Sequence, residues 1–474
     1  MFLYGDHRPT HFLSPSPSTS TLAANDFDVD NRSGFMPPHP PIHRLPPQWE
    51  IWESLLDRAQ SDHIQPGDKP DLSEKSKTDS ENWRREVRAM PILETKPLGG
   101  DEEVLRRAHH VLAWMLHFYV HSIPAEEEGE RVIPRSLTIP LLRVCGVLEL
   151  PPVLTYSDTV LYNWDFEDQD ETGALDGEYS RIPTPTTPLK SLTLFTSTLT
   201  EREFFLVCAR VELRGVRALD LMRATMDELF IGDDIALRRI CGFLEKLTVV
   251  VEGMTSEFKG LKARGCDPDV FYREVRPWIR GADSDVGAKK WVFEGLDLDE
   301  EEDGGEPMWN PVELSGPSAG QSSIVHALDI FLGVDKRSHS VDSFQSAEDA
   351  VAKTSFLTRM RQYMPRRHRS FLQHLASNPR PLREFVVNAE PGELVDAYNG
   401  AIKALKEFRD AHMIIVALYI VGPARRAQRE VREAKEAKFE EQRSERSRLR
   451  GTGGTDMIRF LKTVRNETKS SLID

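Results

Sequence analysis

Residues 393–421 read ELVDAYNGAIKALKEFRDAHMIIVALYIV, twenty-nine residues without a proline. Leu394, Tyr398, Ile402, Leu405, Phe408, His412, Ile415 and Tyr419 recur at three- and four-residue spacing, which puts all eight on one face of a single long helix. A stripe of that length needs another helical surface to cover it. The rest of the chain supplies candidates.

From Glu102 to His121, Val104, Ala108, Val111, Leu112, Met115, Leu116 and Tyr119 repeat the helical period. Further helices are expected over 201–228, 234–260, 267–279, 321–332, 346–363 and 365–378. No strands alternate with these helices, and no GxGxxG follows a strand. The expected fold is all-α.

Composition divides the chain. Residues 1–33 are rich in Ser, Pro and Thr and are expected to be a disordered tail. The proline-rich stretch FMPPHPPIHRLPPQW (35–49) suits an extended segment laid over a surface. Residues 61–82 read as a polar loop, and prolines 134, 140, 151 and 152 as breaks between short pieces. An acidic stretch over 165–192 reads as a linker between a small helical domain, 34–164, and a large one, 193–474. A second acidic insert, DLDEEEDGGE (297–306), reads as a surface loop, and 423–450 is too charged for any helix there to be buried.

The 61 Lys and Arg against 76 Asp and Glu give a net charge of −15, which argues against a nucleic-acid partner. The basic run RMRQYMPRRHR (359–369) is read as solvated surface. Cys145, Cys208, Cys241 and Cys266 are scattered without a CxxC pair, as expected of buried thiols in a reducing compartment. The N-terminal stretch lacks the apolar core of a signal peptide, and the longest apolar run, Met413–Val421, is too short to cross a bilayer. A cytoplasmic protein without a membrane partner is expected.

Several groups could carry chemistry. A histidine on an apolar stripe, such as His412, is usually a core residue with a satisfied ring, but a single axial histidine is also all that a haem requires of its protein. In FYREVR (271–276), aromatic rings beside Arg276 could stack on an aromatic ligand while the guanidinium grips a carboxylate. A core aromatic pair with a surface arginine is the plainer reading. Phe204, Phe205 and Cys208 add an apolar patch to the helix at 201–228. The loops SGPSAG (315–320) and GTGGTD (451–456) are not P-loops, since no GK[ST] ends either; the second could be a mobile lid. His110, His117 and His121 share one helical face, with His117 and His121 at chelating spacing, but without HExxH or a completing carboxylate.

Taken in order, LELPPVLTYSDTVLYNW (148–164), EFFLVCARVE (203–212), GPSAGQSSIVHALDIFLGV (316–334), MRQYMPRRHRSFLQHLASNPRPLREFV (360–386), YNGAIKALKEFRDAHMIIVALYIVGPA (398–424) and GTGGTDMIRFLKTVRNET (451–468) resemble indoleamine 2,3-dioxygenase. The resemblance runs from about Gly34 to the C-terminus. It implies a cytosolic monomer of a small and a large helical domain with haem b in the large one. On this resemblance His412 matches the axial iron ligand, and Arg409 pairs with Asp329 near the proximal side of the haem. Phe271 and Arg276 match the residues that stack on the indole and bind the substrate carboxylate. Tyr156, Thr159, Val160, Phe204 and Cys208 match the distal pocket. Ser318, Ala319 and Gly320 match a loop beside the haem edge, and Thr452 matches the lid. The implied reaction places both atoms of O2 across the indole C2–C3 bond of L-tryptophan, giving N-formylkynurenine.

Tyr272, Cys208 and Thr159 depart from the animal pattern of phenylalanine, serine and cysteine. A reversible O2 carrier, a low-activity indole-binding paralogue and a cofactor-free interaction protein are the rival readings. A carrier has no use for a carboxylate clamp.

Overall fold

The computed structural model describes residues 26–127, 129–167, 181–284, 289–296, 308–309, 313–334, 359–378, 381–390, 392–436 and 457–473. Residues 1–25 of the expected tail, the acidic insert at 297–306, most of 346–363 and the glycine loop carrying Thr452 fall outside these residues, whereas 26–33, expected to be disordered, are ordered: Val29 and Ser33 are buried and Phe27 packs edge-on against Phe371.

Among the described residues the regular secondary structure is almost wholly helical. In chain order the main helices are α1 (Glu50–Ser61), α2 (Glu74–Ala89), α3 (Glu102–His121), α4 (Arg135–Leu148), α5 (Leu199–Ile231), α6 (Asp234–Gly260), α7 (Ser323–Phe331), α8 (Arg366–Ala376), α9 (Leu382–Val387), α10 (Glu393–Val416), α11 (Gly422–Glu436) and α12 (Met457–Ser470). Two small pairings complete the frame: β1 (Arg131–Ile133) runs parallel to β4 (Trp291–Phe293), and β2 (Asp165–Phe166) antiparallel to β3 (Leu189–Lys190). The β2–β3 pair closes the two ends of the acidic stretch on each other. No helix among the described residues is long and apolar enough to cross a membrane.

Local chemistry sets the long elements. The Asp101 carboxylate caps α3 by accepting from the amides of Glu103 and Val104 at 2.9 and 3.4 Å. Helix α5 ends at Gly232, whose φ of +70° suits a residue without a Cβ. The next residue, Asp233, caps α6 through the amides of Ile235 and Ala236. Two residues, Gly232 and Asp233, thus reverse the chain and lay α6 back along α5. Helix α10, which carries the long apolar stripe, packs along α6, with Phe408 on Phe258 at 5.1 Å. Helix α7 crosses α5 closely at Gly215, where any Cβ would lie 2.4 Å from Ile324.

Four further expectations need correction. Residues 74–82 are the first half of α2, capped by Ser73, because the helix turns a charged face to solvent and buries little beyond Trp83 and Val87. Pro140 does not break the chain; it sits inside α4, a helix buried over most of its surface, where packing outweighs one lost hydrogen bond. The helix expected over 267–279 is a short turn, Pro268–Val270, that passes into a π turn at Phe271–Val275. The long stripe likewise ends as α-helix at Val416, goes through a π turn at Ala417–Val421, and continues as α11.

Candidate active site

Three π turns mark the region: Ser157–Leu161, Phe271–Val275 and Ala417–Val421. Such turns recur at functional sites because their i→i+5 bonds present a different set of side chains from an α-helix. In the second, the Arg276 amide donates to the Phe271 carbonyl at 2.8 Å. Residues five apart in an α-helix point about 140° away from one another; the π bond brings them round toward one side. Phe271 and Arg276 are both buried there, and the Arg276 guanidinium lies 5.6 Å from the Tyr272 ring.

Phe271 meets Phe204 of α5 at a centroid distance of 4.2 Å and Tyr419 of the third π turn at 5.8 Å, edge-on. Tyr419 is fixed in turn by its hydroxyl, which donates to the Cys266 carbonyl at 2.8 Å. The aromatic half of the site is therefore assembled from α5 and two π turns.

A second grouping surrounds the first π turn. Tyr156, Val160 and Cys208 share an apolar cluster on α5. The Tyr156 hydroxyl donates to Glu212 Oε1 at 3.0 Å, and its amide donates to Gln321 Oε1 at 2.8 Å. Thr159 turns its hydroxyl back to the Thr155 carbonyl at 3.2 Å, so that group is satisfied within its own turn. Burial pushes the Cys208 thiol up to about 12, with the Glu212 carboxylate adding to the effect, and it stays neutral.

The third grouping lies along α10. His412 is partly buried, stacks on Phe258 at 5.9 Å, and finds no hydrogen-bond partner for either ring nitrogen among the described residues. Burial holds its pKa down to about 4, so it is neutral with a free lone pair at neutral pH. One turn earlier, Arg409 makes an ion pair with Asp329 of α7, while its Nη1 is buried and has no described partner. A neutral imidazole and a half-used guanidinium on one helix suit a metal-centred ligand that carries carboxylates, and haem is such a ligand.

The loop from Leu314 to Gln321 joins these groupings. Gly281 and Gly316 pass so closely that a Cβ on Gly281 would lie 2.1 Å from the Leu314 carbonyl oxygen, and one on Gly316 would lie 2.3 Å from that of Ile279. Ser318 accepts from the Gly320 amide at 3.2 Å, Ala319 begins a single helical turn, and the Gly320 carbonyl accepts from His326 at 2.9 Å.

The histidines of α3 do not form a metal site. His110 Nε2 bonds to the Thr193 hydroxyl at 2.8 Å, and His121 Nε2 donates to the Arg280 carbonyl at 2.8 Å. His117 accepts the Leu154 amide on Nε2 at 3.1 Å and donates from Nδ1 to the Trp278 carbonyl at 2.7 Å. No set of three potential ligands converges among the described residues. His109 faces the Asp158 carboxylate at 2.8 Å and the Pro151 carbonyl at 3.3 Å, two acceptors, so both its nitrogens donate. Burial opposes the resulting charge, but Asp158 prevails and holds the imidazolium protonated well above the usual range.

A family model for indoleamine 2,3-dioxygenase matches residues 23–471. Rat (Rattus norvegicus) indoleamine 2,3-dioxygenase 1 is 31% identical over 470 residues, covering 98% of this chain and 99% of its own length. The indoleamine 2,3-dioxygenase of Saccharomyces cerevisiae is 30% identical, over 93% of this chain and 92% of its own. A 6-hydroxytryptophan 2,3-dioxygenase of Fusarium equiseti is 28% identical, over 94% and 97%.

The chain belongs to the indoleamine 2,3-dioxygenase family.

In this family member, sequence reasoning overlooked several residues that tie the candidate site together. Glu212 stands at i+8 from Phe204 and i+4 from Cys208, a spacing that puts it on the same face of α5. Tyr419 was read as a core position, and Gln321 and Ser322 as the start of a helix. Their hydrogen bonds cross between distant segments, and no local pattern announces them.

Proposed function

We propose that this member of the indoleamine 2,3-dioxygenase family is a haem-dependent enzyme that inserts both atoms of O2 across the indole C2–C3 bond of L-tryptophan, giving N-formylkynurenine. On this reading it acts as a cytoplasmic monomer. The observation that carries the proposal is His412, a neutral imidazole on α10 with no hydrogen-bond partner among the described residues, set in the same fold as the buried Phe271 and Arg276.

His412 would hold the iron of haem b, and Arg409, oriented by Asp329, would meet a carboxylate of the cofactor. When bound, haem supplies O2 activation at the iron, chemistry that no side chain of the pocket can provide. The protein's part is to hold the substrate. Phe271 and Phe204 offer ring faces to an indole, and Arg276 offers a two-pronged partner to its carboxylate. A substrate held at both ends has few orientations left, and that restriction alone accounts for much of what a binding pocket adds to a rate.

Apart from Glu212, the lining supplies little acid or base at neutral pH. Glu212, pushed up by burial to about 7, titrates near neutral pH, but its Oε1 is already engaged by the Tyr156 and Ser322 hydroxyls. Cys208 and Tyr156 are both held neutral, chiefly by burial, and the α3 histidines are committed to other segments. The pocket is suited to positioning and to excluding water, with the oxygen chemistry left to the cofactor.

Reduced, haem-supplied protein mixed with L-tryptophan in air should form a product absorbing as N-formylkynurenine. His412→Ala should lose stoichiometric haem and its Soret band; normal haem content in that variant would remove the ligand assignment. Arg276→Ala should keep haem and raise KM for tryptophan by at least tenfold, roughly the loss of one charge-assisted bidentate contact. An unchanged KM would remove the clamp.

A further inference from the structure

Glu212 is buried on α5, and among the described residues no arginine, lysine or histidine pairs with it. Its Oε1 accepts two hydrogen bonds, from the Tyr156 hydroxyl at 3.0 Å and from the Ser322 hydroxyl at 2.6 Å. Its Oε2 has no partner among the described residues. Burying a carboxylate without a counter-cation costs folding free energy that two hydroxyls do not fully return, so stability is a poor explanation for an acid at this position.

Its partners suggest a better one. Tyr156 precedes the first π turn, and Ser322 ends the glycine loop and begins α7. These two segments are 166 positions apart in sequence, and each carries residues of the candidate site. A second bond ties the same segments, from the Tyr156 amide to Gln321 Oε1 at 2.8 Å; Gln321 Nε2 then donates to the Gly316 carbonyl at 2.9 Å. Gln321 thus fixes the backbone of the turn, while Glu212 fixes the phenol and anchors both segments to α5, the helix that carries Phe204 and Cys208.

We propose that Glu212 is a positioning residue: by accepting from Tyr156 and Ser322 at once, it locks the π turn at 157–161 and the loop at 316–322 onto α5 and so fixes the width of the substrate pocket. The carbonyl oxygen of a glutamine at this position can accept the same two bonds. An alanine can accept neither. The groups that face Glu212 are the Tyr156 phenol, the Ser322 hydroxyl and the Cys208 thiol, all neutral, and burial pushes its own pKa up to about 7. Its charge therefore changes near neutral pH while its acceptor geometry does not, and a positioning role survives that change.

The kinetic consequence rests on the dioxygenase reading, but the structural one does not, so the test begins with the haem-free chain. Amide hydrogen exchange in Glu212→Ala should quicken by tenfold or more in both 154–162 and 316–323, and Glu212→Gln should restore both segments to within about threefold of wild type. Tyr156→Phe, which removes one donor, should loosen 154–162 while leaving 316–323 protected; it also serves if Glu212→Ala does not fold. In the haem-loaded enzyme, Glu212→Ala should raise KM for tryptophan more than it lowers kcat, and Glu212→Gln should reverse most of that rise. Wild-type exchange in both segments of Glu212→Ala would overturn the proposal. So would a Glu212→Gln variant as loose as alanine, because the charge, and not the shared acceptor, would then be what matters. Failure of the kinetic arm with the exchange arm intact would count against the dioxygenase reading and leave the lock in place.

Discussion

His117→Leu should destabilise the protein by an amount that depends on pH in a calculable way. His117 is buried on α3 and joins two segments through their backbones, accepting from the Leu154 amide and donating to the Trp278 carbonyl. Leucine fills a similar volume but leaves both backbone groups buried and unpaired, at about 1–3 kcal/mol each, so about 2–6 kcal/mol is expected at neutral pH. Burial lowers the pKa of His117 to about 4 from 6.5 in the unfolded chain. As pH falls below the unfolded value, the unfolded chain takes up a proton that the folded protein refuses, so the wild type loses stability from this residue as pH drops from 6.5 toward 4. Between pH 7.5 and pH 5.5 that loss is about 1.3 kcal/mol. It is set almost wholly by the unfolded histidine, because pH 5.5 still lies well above the folded value. The leucine variant has no such proton to refuse. Urea unfolding of the haem-free chain, followed by tryptophan fluorescence at both pH values, should show a mutant penalty about 1.3 kcal/mol smaller at pH 5.5. The other buried histidines nearly cancel in the difference: His121 loses a repulsion from His117 in the variant, but burial is the first cause that holds it well below the usual range. A penalty equal at the two pH values would refute the neutral, bridging assignment, and a wild-type midpoint at pH 7.5 would refute the bridge itself.

Two further outcomes follow from the geometry. Gly281→Ala puts a Cβ 2.1 Å from the Leu314 carbonyl oxygen and 2.3 Å from the Gly316 nitrogen, so the loop must move; a lowered Tm together with weaker tryptophan binding is expected, and a variant with wild-type values for both would contradict the crossing. Asp329→Asn removes the charge that orients Arg409; haem should transfer to apomyoglobin about ten- to a hundredfold faster while the helical content holds, as befits loss of a supporting contact, and an unaltered transfer rate would remove the pair from the cofactor site.

How much of this could be read beforehand depended on whether a feature was local. The stripe on α10 and the full extent of α3 and α6 were legible, because burial on one face writes a 3.6-residue period into the sequence. Helix α2 was missed for the complementary reason: it exposes so much charge that its period is faint. The chemistry of FYREVR was visible, but its π turn was not. An i→i+5 bond has no compositional signature and is selected by tertiary packing, here Phe271 against Phe204 and Tyr419. The α3 histidines show the limit most clearly. Spacing of i and i+4 reads equally well as a chelating pair or as two rings reaching different neighbours, and Leu154, Trp278 and Arg280 are too far along the chain to break the tie.

Those histidines also show how the segments of the candidate site are held. His117 and His121 bind the backbone of Leu154, Trp278 and Arg280, not side chains, and Gln321 binds the backbone of Tyr156 and Gly316. Two of the π turns that carry the candidate pocket lie within a few residues of these anchors. A segment held by its carbonyls and amides keeps its path whichever side chains it bears, so the position can be preserved while the lining varies. Tyr272, Cys208 and Thr159 are variations of this kind. Tyr272 lies beside Arg276, Cys208 is a neutral thiol among apolar neighbours, and Thr159 satisfies its hydroxyl within its own turn. None of the three contributes to an anchor. Their effects should therefore fall on substrate preference and affinity; on the haem reading proposed above, retention of the cofactor would rest with α7 and α10, where Asp329, Arg409 and His412 stand.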